Sequence, residues 1–135
     1  MKQILTLVVA LFCATPALAE NFSSYEAYQS ILDKKMKNRE FANVVREMGG
    51  ADEYSEQELA RIQIQLREVA PYYLTNADIV KRVELENGYS QELRAYWNDK
   101  NSYIFLYALL HQRDDGLVPI QFYINTSPEE LLKKF

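Results

Sequence analysis

Side chains able to do acid–base or metal chemistry are few in this chain. His111 is the only histidine. An imidazole with no cysteine or second histidine at ligand spacing reads as a structural or surface residue rather than a metal ligand. Asp114 and Asp115 stand together before Gly116, a pair that suggests calcium, but Asp-Asp-Gly is also hairpin-turn composition and the turn is the preferred reading. Cys13 is the only cysteine and lies in an apolar leader, so the rest of the chain has no thiol nucleophile, disulfide or cysteine metal site. Asp52 and Glu53, beside Gly49-Gly50, are the carboxylates from which the helical part could supply a general base. No catalytic residue, cofactor or metal ligand is assigned.

Positioning of these groups falls to the stretch from Ala77 to Thr126, which reads as four β-strands. Ala77 to Leu85 and Tyr89 to Trp97 alternate apolar and polar residues, as half-buried strands do. Ser102 to Arg113 contains an unbroken apolar run from Tyr103 to Leu110, the mark of a central strand covered on both faces. Leu117 to Thr126 alternates again through Val118, Ile120, Phe122 and Ile124. Residues paired across a ladder share a face, so the loops are tested by the faces they bring together. Three-residue loops at Glu86-Asn87-Gly88 and Asp114-Asp115-Gly116 place glycine in the left-handed position. They pair Leu85 with Tyr89, Ile79 with Ala95, Leu110 with Ile120, Ala108 with Phe122 and Leu106 with Ile124. A four-residue loop, Asn98 to Asn101, pairs Ala95 with Ile104 and Leu93 with Leu106. This register gathers the apolar side chains of all four strands on one face, whose only polar strand residues are Lys81 and Gln91.

The opposite face then carries Arg82, Glu92, Tyr107 and Tyr123 in one cross-strand row and Val80, Arg94, Phe105 and Asn125 in the next, with Tyr96 and Tyr103 beside Asp78 and His111 opposite Pro119. Tyrosine and arginine over a partly apolar sheet is the composition of an interface core. Arg82, Glu92, Arg94, Tyr96, Tyr103, Phe105, Tyr107 and Tyr123 are therefore the candidate interaction face, for a homodimer or a protein partner; the bland alternative is a solvated face of cross-strand pairs.

Upstream, Ser23 and Glu26 have capping-box spacing, and Tyr25, Tyr28, Ile31, Leu32 and Met36 recur at helical steps, giving a helix over about 24–37. Phe41, Val44, Val45 and Met48 extend an apolar stripe to Gly49-Gly50, where glycine caps. Ser55 and Glu58 repeat the capping box before Leu59, Ile62, Leu66 and Val69, and Pro71 ends that helix. Ser127-Pro128-Glu129-Glu130 starts a short helix over about 128–134. The first residues are distinct: Lys2, the apolar run Ile4 to Ala14, and Ala17-Leu18-Ala19 read as a secretory signal over 1–19, cleaved after Ala19, and the run is too short to span a bilayer. Phe12 before Cys13 argues against lipoprotein processing. Residues 20–135 then form one domain, secreted or periplasmic, with 14 Lys and Arg against 19 Asp and Glu. That balance disfavours nucleic acid and anionic membrane as partners.

Helices followed by an antiparallel meander with an apolar face give an α+β fold with the helices packed on that face. In element order the chain resembles the cystatin-like and NTF2-like group, in which a curved sheet wraps around helices. The resemblance implies a cup between helix and sheet that relatives use as an enzyme pocket, a ligand site or a core. With no acid–base pair on the cup face of the sheet, the leading reading is a small exported non-catalytic domain. It would bind a protein on the aromatic sheet face or a small apolar ligand in the cup. The alternative is an enzyme of the dehydratase or isomerase type with catalytic groups on the helices. Asn21-Phe22-Ser23 and Asn125-Thr126-Ser127 match the glycosylation triplet.

Overall fold

Ser24 opens the first helix, its hydroxyl accepting from the Ala27 amide at 3.1 Å, so the cap lies one residue beyond the expected Ser23. Helix α1 (Tyr25–Lys37) buries Tyr28, Leu32 and Met36. Helix α2 (Phe41–Val45) buries Phe41, Val44 and Val45 and runs into a wide helical turn, Arg46–Gly50, in which Gly49 takes φ 98°. Helix α3 (Glu56–Val69) starts at the expected capping box, with the Glu58 amide donating to the Ser55 hydroxyl at 3.1 Å, and buries Leu59, Ile62 and Leu66. The structure, a computed structural model, describes residues 9–12 and 21–135. The expected cleavage point at Ala19 and most of the leader lie outside the described residues.

The sheet order is β1-β5-β4-β3-β2, every pair antiparallel. The expected four-stranded meander is β2 (Asn76–Glu84), β3 (Tyr89–Trp97), β4 (Tyr103–Arg113) and β5 (Gly116–Asn125), and a short helix α4 (Pro128–Leu132) follows it. A further strand, β1 (Val9–Phe12), pairs with β5 from within the predicted leader, Val9 opposite Ile124. Helices α1 to α3 cover the face of β4 and β5 that carries Ile104, Leu106, Ala108, Leu110, Phe122 and Ile124, which form one core with the helical stripes. The fold is thus α+β, with helices α1 to α3 before the β2–β5 meander and on the Leu106 side of the sheet.

Register departs from the sequence expectation at three places, each with a local cause. The loop after β2 is the expected Glu86-Asn87-Gly88, with Leu85 N donating to Tyr89 O at 2.8 Å, but a bulge at Val80 shifts the ladder so that Ile79 faces Arg94 instead of Ala95. The turn at Asp114-Asp115 holds two residues, because Arg113 pairs with Gly116; a bulge at Ile120, next to a Pro119 that has no amide to donate, then restores Ala108 to Phe122 and Leu106 to Ile124. His111 consequently faces Val118, not Pro119.

The largest correction is the loop after β3, which holds five residues, not four, with Trp97 paired to Tyr103. Buried Asn98 explains the extra residue. Its Oδ1 accepts from the amides of Lys100 and Ser102 at 3.0 and 3.2 Å, drawing Ser102 into the loop, and its Nδ2 donates to Tyr73 O at 3.1 Å. Asn101 supplies the left-handed residue, φ 60°. One residue of slip inverts a strand. Leu93 therefore pairs with Tyr107 and Ala95 with Phe105, Lys81 and Gln91 lie with them on the outer face, and Ser90, Glu92, Arg94 and Tyr96 turn toward the helices. Val83 and Phe122 accordingly occupy opposite faces, so the apolar residues of four strands do not form one continuous surface.

Candidate functional site

Two assemblies result from that inversion, one between α1 and β3 and the other on the outer face. Under α1, the side chains of β3 that alternation places outward meet Tyr25 and Asp33. Glu92 is 0% exposed. Its Oε2 accepts from the Tyr25 hydroxyl and from Arg82 Nη1, both at 2.8 Å, and its Oε1 lies 3.4 Å from Arg94 Nη1. Arg94 Nη2 stands 3.1 Å from each oxygen of Asp33, Nε donates to the Tyr96 hydroxyl at 3.2 Å, and Tyr96 donates to Asp33 Oδ1 at 2.7 Å. Arg82 also reaches Glu84 at 2.7 Å, and its guanidinium lies 4.5 Å from the centre of the Tyr25 ring.

This is a charge-assisted network joining helix to sheet. Burial alone lowers the Arg94 pKa, but Tyr96, Glu92 and Asp33 around it outweigh burial and raise it, so the guanidinium stays charged. Burial also lifts Tyr96 and Tyr28 well above the ordinary phenol value, with Asp33 and Glu92 adding to the respective shifts, and lifts Tyr25 beside Glu92. An acid–base set is therefore present on the helix side of the sheet, contrary to the sequence expectation. Each carboxylate oxygen of Glu92 and Asp33 is already engaged by a cation or a hydroxyl, which is the arrangement of a structural clamp.

Of the candidate interaction residues, Arg82, Glu92, Arg94 and Tyr96 belong to this clamp, whereas Tyr103, Phe105, Tyr107 and Tyr123 lie on the outer face. The two sets are not one surface. The outer set divides again. Leu93, Tyr107 and Tyr123 form a small cluster closed by Leu131 of α4 and edged by Phe135, whose ring meets Tyr107 edge-on at 5.3 Å. Beyond α4, Trp97, Tyr103 and Phe105 run as near-parallel rings at 6.2 and 6.1 Å, and Tyr103 is 43% exposed. Trp97 is missing from the sequence candidates because the expected four-residue loop turns it inward.

His111 stacks on Tyr89 at 3.9 Å, with Nε2 3.1 Å from Asn87 O, and so braces the first hairpin. Asp115 Oδ2 accepts from Arg113 and Asn21 at 3.0 and 3.2 Å in the turn. Asp52 and Glu53 are exposed in a turn after Gly50. Among the described residues no three His, Cys, Asp or Glu side chains are grouped to hold a metal ion. No helix of the described residues is long and apolar enough to cross a membrane. A shallow cleft of about 240 Å³ lies between Tyr72, Tyr73, Thr75, Asn98, Asp99 and Lys100. Comparison with protein-family models, curated proteins and solved structures gives no match.

Proposed function

We propose that the chain is a small exported, non-catalytic interaction domain whose working surface is the outer face of the sheet at Trp97, Tyr103 and Phe105. The observation that carries this reading is the row of three near-parallel rings on adjacent inner strands β3 and β4, Tyr103 exposed at its centre and Trp97 and Phe105 half-buried on either side. Rigid aromatics supply contact area at little conformational cost, which is why they concentrate in interface cores. An apolar ligand in the cup is less well supported, because Tyr28, Met36, Phe41, Met48, Leu66 and Phe122 fill the space between helices and sheet. Catalysis on the helix side is less well supported because the carboxylates there are held by cations.

The element order supports membership of the NTF2-like or cystatin-like group, and the composition of residues 1–19 supports export. Cleavage after Ala19 would remove β1 and leave β5 as a sheet edge. The partner tested first is a second copy of the chain. Sedimentation from micromolar to millimolar concentration should show reversible self-association that Tyr103→Ser abolishes without lowering thermal stability. A strict monomer over that range overturns the homodimer. A photo-cross-linker at position 103 that captures nothing beyond what one at Ile64, exposed on α3, captures overturns the interaction reading altogether.

A further inference from the structure

Whatever binds Trp97, Tyr103 and Phe105 meets, on the same face, the cluster of Leu93, Tyr107 and Tyr123, and Phe105 packs against that cluster. What covers the cluster is the segment from Pro128 to Phe135. We infer that this segment is a detachable strap, which hides the Leu93, Tyr107 and Tyr123 part of the aromatic face and competes with the partner for it. The inference rests on the interaction reading above.

Five observations carry it. The covered cluster is separate from the main core, so lifting the strap leaves the helix-side packing intact. The strap holds on through a short set of contacts: Leu131 on the cluster, the Phe135 ring between Tyr107 and the Lys81 ammonium 4.6 Å away, and the Lys134 ammonium 3.8 Å from the Tyr123 ring centre. Gln91 adds one hydrogen bond of 3.0 Å to Lys134 O. Its described ion pair, Lys133 to Glu130, is internal and ties nothing down. Finally, its helix is five residues long with no side-chain cap at Ser127, and so short a helix has no stability of its own. Segments with few buried contacts open locally before the fold does. The strap also displays the chemistry that the face accepts, an aliphatic side chain, a cation and an aromatic ring within five residues.

Thiol labelling distinguishes a strap from a fixed element. In a Cys13→Ser background, Leu93→Cys places a thiol under the strap and Ile104→Cys places one under the helices; both positions are 0% exposed. The thiol at 93 should react at least tenfold faster than that at 104, and Leu131→Ala should accelerate the first several-fold and leave the second unchanged. Equal rates, or equal acceleration, overturn the strap. Hydrogen exchange on the unaltered chain gives an answer that needs no core substitution. Amides of Lys133, Lys134 and Phe135 exchanging in step with those of Leu106 and Ala108 across denaturant would also overturn it. Neither result bears on Tyr103→Ser, so failure of the strap leaves the binding face standing. Loss of the Tyr103 effect with fast labelling at 93 sinks the binding face instead.

Discussion

Arg94 holds Asp33 by both carboxylate oxygens, Nη2 standing 3.1 Å from each, and so ties α1 to the middle of β3. The bond lies on a strand position that simple alternation assigns to solvent. Because Glu92 and Arg82 complete the set, the helix is docked by charge as well as by Tyr28, Leu32 and Met36.

Breaking this clamp from one side should be costly. Arg94→Met leaves two carboxylates behind, and losing one partner of a buried pair costs about 3–5 kcal/mol. The combined Asp33→Leu, Glu92→Leu and Arg94→Met variant removes the uncompensated charge and should recover most of that loss. Urea melts of the three single variants and the combination measure it. Single losses under about 1 kcal/mol would mean that water already satisfies the charges.

Alkali should weaken the fold through Tyr28 and Tyr96. Their folded pKa values lie above the unfolded value of about 10, so the protonated folded state is favoured and the contribution is complete below pH 10. Above it the unfolded chain loses these protons while the folded chain keeps them. Stability then falls with rising pH, by up to about 1.4 kcal/mol per unit for each group, until the folded values are reached. Denaturation at pH 8, 10 and 11, with tyrosinate absorbance followed in parallel, tests it; two tyrosines should ionise only on unfolding.

Gly116 admits no side chain. A Cβ there would sit 2.4 Å from the carbonyl oxygen of Phe22, and φ is 132°. Phe22 pairs with Leu117 in both directions, at 2.9 and 2.8 Å, and its ring meets Tyr28 edge-on at 5.3 Å. Gly116→Ala should therefore detach the 21–23 segment and cost about 2–3 kcal/mol, read as a loss of thermal stability. The control is Asp114→Ala, in the same turn and exposed, which should shift stability by less than about 0.5 kcal/mol.

Export has a direct readout. Amino-terminal sequencing of the chain recovered from outside the cytoplasm should begin at Glu20, and a chain that keeps Met1 in every fraction would remove export from the proposal.

Much of the architecture is legible in the residues. Period-two alternation marks β2, β3 and β5, the apolar run from Tyr103 marks the central β4, and the boxes at Ser55 and Gly49-Gly50 bound the helices. Register across the third loop is not legible by the same means. Asn98 can end a strand or fold its own side chain into the loop, and only the carbonyl of Tyr73, brought from a distant stretch of chain, decides for the second. The polar clamp escapes the pattern for a related reason. Alternation treats Glu92 and Arg94 as solvent-facing because burial of either alone is prohibitive, and only pairing with Asp33 and Arg82 across helix and edge strand makes it tolerable. The signal that is present is the spacing itself: Ser90, Glu92, Arg94 and Tyr96 form a complete polar face opposite Leu93, Ala95 and Trp97.

Asn125 bears on how the protein can be made. Its side chain is 0% exposed, with Oδ1 accepting from Ser127 N at 2.9 Å, whereas Asn21 sits in the open. A eukaryotic secretory host that attaches sugar at both triplets could accommodate one at Asn21, but a glycan added to the nascent chain at Asn125 would be incompatible with the closed end of the sheet. Yield from such a host should rise when Thr126-Ser127 is altered to erase that acceptor, and a bacterial host should be indifferent to the change.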